Sequence, residues 1–228
     1  MRKLHMLLVA IFWIALFGFM TYSWAGMESK KTITDSKSDV TKTMEVFSEE
    51  GKLSDITFIR GDTAFVMIYY SISGIDSKKV WQDLQIIQKI SKVKKIKVYL
   101  DCWGGDAYSG FAIADNFLRM KGKYEISVHA SGVVASAAVI VFASFDNRYA
   151  SPNCFFMVHE AAIPSAQGMD KSDVKIMDKL MDKLEERYLN ILITNSNLSK
   201  DAWQDKIERT TWFSAYEAKE WGLVTEVK

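Results

Sequence analysis

Gly104-Gly105, Ser136 and His159 follow one another along the chain, and each stands where a predicted element begins or ends. A double glycine after a strand turns with positive φ and leaves main-chain N–H groups free for a developing oxyanion. A serine at a strand-to-helix corner gains from the helix end, and the next N–H, that of Ala137, points where its Oγ points. Ala135, Ala137 and Ala138 are small and leave room for a substrate carbonyl. Of the three histidines, His5 lies near the N-terminus and His129 inside a predicted strand. His159 is left as the general base near neutral pH. Each feature has a plainer reading: a tight turn, a small residue at a packed corner, a structural histidine. Their order within one α/β array points instead to nucleophilic attack on a carbonyl.

Positioning these residues requires alternating strands and helices. Thr57–Ile59 and Thr63–Ile72 are rich in β-branched and aromatic residues, with turn chemistry at Gly61-Asp62. Asp76–Ile90 carries Val80, Leu84 and Ile87 at helical spacing, with Ser77 or Asp76 as the cap. The "KIKVYLD" strand runs into the two glycines, and a helix over Ala107–Met120 follows. "YEISVHA" is a strand, Ser136 begins a third helix, and "RYAS" and "CFFMVH" are short strands. Such alternation predicts βαβ units and a largely parallel sheet. In a long helix over Asp170–Thr194, Val174, Met177, Met181, Leu184, Tyr188 and Ile191 form a heptad-like stripe. That stripe fits packing on its own domain or against a neighbouring subunit. The tail predicts a helix capped by Ser214 and ended by Gly222, then a short strand.

The chain has 228 residues and a formal net charge of +1, with charges of both signs interspersed. No basic stripe alternates with aromatics, which excludes a nucleic-acid surface of the usual kind. Residues 1–25 have the form of a signal peptide: Arg2 and Lys3, an apolar run from Met6 to Met20, and small residues at Ser23 and Ala25. The run is short for a spanning helix, which needs about 20 apolar residues. Cleavage after Ala25 and export to the periplasm are expected. The alternative is an inner-membrane anchor, uncleaved, with residues 6–22 as a tether. Residues 26–55 are polar and read as a linker, and residues 56–228 as the folded domain. Cys102 and Cys154 sit on different predicted strands and are expected to be buried thiols. No His/Cys cluster supports a metal site, and no cofactor is expected.

From Phe58 to Val227 the chain resembles the proteolytic subunit of the Clp protease, in the ClpP/crotonase superfamily. "LDCWGGDAYSGFAIADNF" is similar to that family's strand–PGG–helix segment, and "GVVASAAV" to its GxxASxGA nucleophile corner. "RYASPNCFFMVHEA" and "FSAYEAKEWGLVTEV" are similar to its RxALPNSxxMIHQP and FLSAxEAxEYGLVDxV stretches. The resemblance implies an α/β fold of stacked ββα units with a protruding handle helix over 170–194. It implies a serine peptidase with Ser136 as nucleophile, His159 as base, Gly105 and Ala137 as oxyanion donors, and Gly104 at the substrate. It also implies a homo-oligomer, with rings stacked through the handle. Two positions depart from the pattern. The triad acid falls at Thr210, which can hold the His tautomer but carries no charge, and Trp103 replaces the proline before the glycines.

The expected function is therefore an exported serine-type endopeptidase acting on peptides or unfolded proteins, without an ATPase partner, because ATP is absent outside the inner membrane. One alternative is a catalytically weak or inactive scaffold on the same fold, for which Thr210 speaks. Another is a crotonase-like acyl-CoA enzyme, although no carboxylate pair stands at an evident reacting position. A Ser–Lys peptidase lacks a lysine at a site position.

Overall fold

The computed structural model describes residues 51–162 and 170–228. Residues 1–25, expected to be a signal peptide or anchor, all but the last residues of the expected linker, and segment 163–169 lie outside them. Strands β1 (Thr57–Arg60) and β2 (Thr63–Ile72) form an antiparallel hairpin around Gly61, whose φ of 64° suits a glycine at the turn. Helix α1 (Gly74–Gln88) buries Val80, Leu84 and Ile87, the residues its period predicts. Its cap differs from the expected Ser77 or Asp76. Ser73 is the N-cap, and Asp76, three residues on, returns a bond to the Ser73 N–H. Asp76 thus acts from the first turn of a reciprocal capping box.

The middle of the chain is β3 (Lys95–Gly105), α2 (Ala107–Leu118), β4 (Glu125–Ala135), α3 (Ala137–Ala143), β5 (Asn147–Ala150) and β6 (Phe155–Val158). Then come α4 (Lys171–Thr194), α5 (Lys200–Glu208), β7 (Thr211–Ser214), α6 (Ala215–Glu220) and β8 (Glu226–Val227). The sheet runs β1-β2-β3-β4-β5-β8, with β6 joined to β4 and β7 to β6. All pairings are parallel except β1–β2 and β6–β7. The α/β expectation therefore holds. Ser214 caps α6 and Gly222, at φ 75°, follows it, as the tail sequence predicts.

β4 pairs with two different strands, and this divides the sheet. Its first part, Ser127–Ala130, pairs with β5, and its last part, Val133–Ala135, pairs with β6. Between them the register with β3 shifts from Leu100↔Ala130 to Cys102↔Val134. Gly132 makes the bend at φ 58°, and a Cβ there would lie 2.6 Å from the Asp101 carboxylate. That carboxylate accepts the Val133 N–H at 3.0 Å. A glycine is needed because backbone and carboxylate approach so closely. The bend carries the end of β4 away from β5 and onto the strand that ends in His159.

α5 and β7 are absent from the periodicity reading. α5 has nine residues and buries only Trp203 and Ile207, too few to register as a stripe. Yet these elements hold the far side of the sheet. Phe213 of β7 packs between Phe156 of β6, Trp203 of α5 and Trp221, with ring centroids 5.6, 6.1 and 4.6 Å away. Cys102 and Cys154 are both free and buried.

Arg148, on β5, is a buried cation with no carboxylate partner among the described residues. Its guanidinium donates to the carbonyls of Phe145, Asn195, Gly222 and Leu223, joining β5, the end of α4 and the turn after α6. Arg148→Met is expected to lower folding stability by about 3 kcal/mol or more, because several buried carbonyls lose their donors at once. Arg148→Lys should recover little, since an ammonium cannot span the fork. Urea denaturation of the three proteins checks both statements.

Candidate active site

Only three non-glycine residues have positive φ among the described residues: Tyr70, Ser136 and Thr210. Two of them are predicted site residues. Ser136 (φ 55°, ψ −127°) is the single residue between β4 and α3, so the chain reverses there within one step. Such a conformation costs on the order of 1–3 kcal/mol and persists where surroundings enforce it. The enforcing contacts are visible. The Ser136 N–H donates to the Met157 carbonyl of β6 at 2.8 Å. Gly104 packs against the corner so tightly that a Cβ would lie 2.6 Å from the Ala135 oxygen and 2.7 Å from the Ser136 Cβ. Gly105, at φ 139°, leaves no room for a Cβ against the Ile72 carbonyl. A bulge in β2 between Tyr70 and Ile72 brings that carbonyl to Gly105, where it also accepts the Asp106 N–H at 3.0 Å.

The geometry brings Ser136 and His159 together. His159 follows β6 directly, and its Nε2 lies 2.8 Å from Ser136 Oγ. Because β6 runs parallel to the end of β4, with Ala135 opposite Met157, the histidine reaches the serine at the same edge. Ala137 is the first residue of α3, so its N–H has no intrahelical acceptor. Gly104 is buried under the corner, and Gly105 lines the same cleft as Ser136, Ala137 and His159. The chemistry open to this arrangement is proton removal from a hydroxyl, with N–H groups beside it for an oxyanion.

Thr210 and His159 each stand one residue beyond the last β6–β7 pair. β6 and β7 pair with Val158 opposite Thr211, so the following pair would be His159 and Thr210. The Thr210 side chain is exposed and makes no hydrogen bond among the described residues. Its φ of 53° is unfavourable for a β-branched residue. Glu208 and Asp205, the two other acids nearby in sequence, are engaged elsewhere. Glu208 accepts from Gln204 at 3.1 Å, and Asp205 pairs with Arg209 at 2.7 Å. Among the described residues, the carboxylate whose charge bears on His159 is that of its neighbour Glu160.

Burial lowers the His159 pKa below its ordinary 6.5, and the Glu160 main chain and carboxylate oppose that shift. The base is therefore neutral at pH 7. The acid limb of any Ser136-dependent rate should have its midpoint below pH 6.5. Glu160→Gln removes one upward contribution and should move that limb further toward acid. A pH profile of kcat/KM for both proteins tests the sign. Burial pushes the Cys102 and Cys154 thiols up to about 11 and about 12, so neither competes as a nucleophile.

A cleft of about 260 Å³ opens beside the pair. Phe111, Ile140, Met181, Leu184 and Tyr188 give it apolar walls, and Glu160 and Glu185 also line it. The sequence reading did not name these as site residues, although Met181, Leu184 and Tyr188 belong to the α4 stripe. Leu184 and Tyr188 are buried within this chain, whereas Val174 and Met177 are only half-buried. The stripe thus divides: its second half packs at the cleft and its first half stays partly open.

Comparison with known proteins shows the family. A model of the Clp protease family matches residues 49–228. An ATP-dependent Clp protease proteolytic subunit 2 from Treponema denticola is 29% identical over 154 residues, 66% of this chain and 74% of that one. An ATP-dependent Clp protease proteolytic subunit from Lactococcus lactis subsp. lactis is 30% identical over 138 residues, 59% of this chain and 67% of that one. A solved structure of a ClpP1 mutant from Listeria monocytogenes superposes with a TM-score of 0.64 at 23% identity, covering 82% of this chain and 95% of that one. The last shows the fold. With the family pattern running through the glycine turn, the serine corner, the histidine strand and the tail, the chain belongs to the Clp protease family.

Proposed function

We propose that this chain is a serine-type endopeptidase acting on peptides or unfolded proteins. The observation that carries this reading is the 2.8 Å contact between His159 Nε2 and Ser136 Oγ at a strained strand-to-helix corner. His159 takes the Oγ proton as Ser136 attacks the peptide carbonyl. The Gly105 and Ala137 N–H groups hold the oxyanion, while Gly104, expected at the substrate, instead lets the glycine turn pack under the Ser136 corner. His159 then protonates the leaving amine, and water repeats the cycle on the acyl-enzyme. No cofactor or metal takes part. The chain works as a homo-oligomer, for which the half-open first part of the α4 stripe supplies a contact surface.

Export to the periplasm, or tethering through residues 6–22, rests on the charged and apolar N-terminal sequence. On that reading the enzyme acts without an ATPase partner. A second reading, a weak or inactive scaffold, is favoured by the exposed Thr210 side chain, which makes no hydrogen bond among the described residues. A fluorophosphonate probe distinguishes them. Labelling of the wild type, lost in Ser136→Ala, is the expected result. An unlabelled wild type, under conditions that label a known serine hydrolase, leaves the scaffold reading.

A further inference from the structure

One step before the serine corner, β4 is buried on both faces. Strand residues alternate between faces, and Val134 joins the main core while Val133 and Ala135, though buried, do not. Ala135 pairs with Met157 of β6, and Met157 with Trp212 of β7. On the other side, Trp103 follows Cys102 of β3 as Ala135 follows Val134, the register partner of Cys102. The row across the four strands is therefore Trp103, Ala135, Met157 and Trp212. β4 and β6 separate the strands of the two tryptophans. The indoles nevertheless meet edge-on, with ring centroids 6.0 Å apart. They reach each other only across the two strands that lead to Ser136 and His159. Neither indole is core packing, since Trp103 is 58% and Trp212 48% exposed.

This clip stands one or two residues from every part of the site. Gly104 follows Trp103, Ser136 follows Ala135, and His159 lies two residues beyond Met157. The glycine turn is the part that most needs a restraint. Gly104 and Gly105 sit at φ 92° and 139°, and a pair of glycines has many other conformations open to it. On the core side, Cys102 Sγ accepts the Gly104 N–H at 3.4 Å. On the opposite face, Trp103 meets the ring of Trp212. A tryptophan does not fix its own φ as a proline does, so its contact must supply the restraint.

We propose, resting on the serine-peptidase reading, that Trp103 and Trp212 are positioning residues. Their contact sets the place of the Gly105 N–H relative to Ser136 and His159.

The test measures kcat and KM on a fluorogenic peptide, and the rate of fluorophosphonate labelling, in the full chain. The variants are Trp103→Ala, Trp212→Ala, the double alanine variant and Trp212→Phe. Each alanine variant should lose about ten-fold in kcat and in labelling rate, with KM within about two-fold of wild type. The double variant should lose no more than either single one, because all three break the same contact. Trp212→Phe keeps an aromatic ring and should recover most of the rate. Thermal melts and sedimentation accompany every variant, and leucine replaces alanine at any position where the alanine variant does not fold. Folded variants that turn over and label within about two-fold of wild type overturn the positioning role and leave the peptidase reading standing. Losses that multiply in the double variant, a loss confined to KM, or a loss that tracks a change in assembly also overturn it. A wild type that is neither labelled nor active, under conditions that label a known serine hydrolase, sinks the peptidase reading and this proposal with it.

Discussion

Ser136→Ala, His159→Ala and the double variant are expected to lose peptide turnover to the same extent, on the order of 10⁴-fold or more. The reason is that the two side chains act as one unit. Ser136 Oγ is a poor nucleophile until His159 Nε2, 2.8 Å away, takes its proton. Removing either partner removes the activated nucleophile, so removing the second costs little more. Stability should change much less than rate, because both side chains are only partly buried and the corner is held by main-chain contacts. Steady-state rates on unstructured casein, with thermal melts of each variant, provide the comparison. Additive losses would mean that the two residues contribute independently, which the proposed mechanism does not allow.

Thr210→Asp is expected to raise kcat/KM by on the order of 10²–10⁴. Thr210 follows on from the pairing of Val158 with Thr211, beside His159, so a carboxylate placed there reaches the imidazole by a short path. It would accept the Nδ1 proton, leave Nε2 free toward Ser136, and stabilise the imidazolium as it forms. The backbone also favours the change. Thr210 sits at φ 53°, a region that aspartate and asparagine tolerate better than a β-branched residue. Thr210→Asn is the control. It relieves the same backbone cost and holds the tautomer, but brings no charge. Both variants should melt no lower than wild type, and only the aspartate should give the large gain in rate. A faster Thr210→Asn equal to Thr210→Asp would assign the defect to geometry rather than charge.

The helices whose stripes were strong, such as α1 with Val80, Leu84 and Ile87, could be read from one segment at a time. The same holds for strands that run unbroken into a glycine turn. α5 and β7 could not. α5 buries two residues and β7 is four residues long, so each is held mainly by long-range contacts to Phe156 and Trp221. The Ser73 cap was hidden for a related reason: Asp76 reads as a cap itself until its reciprocal bond is seen. At the site, Ser136, His159 and the glycines were legible because their types are unusual for their places. Tyr188 was not, since within α4 it looks like any other residue of the stripe.

Residue type and order alone determined that a serine corner, a glycine turn and a histidine strand end occur in one α/β array. They also determined that the acid position holds a threonine. Only the tertiary structure decided that these groups meet. The bend at Gly132 moves β4 from β5 to β6, and that change of partner places Nε2 of His159 against Ser136. It also decided the strain at Ser136 and Thr210, the engagement of Glu208 and Asp205 elsewhere, and the place of Tyr188 in the wall of the cleft. The physical reason is that periodicity reports which face of a segment is buried. Distances between side chains on different strands depend on register and bulges, which arise only when the strands pair.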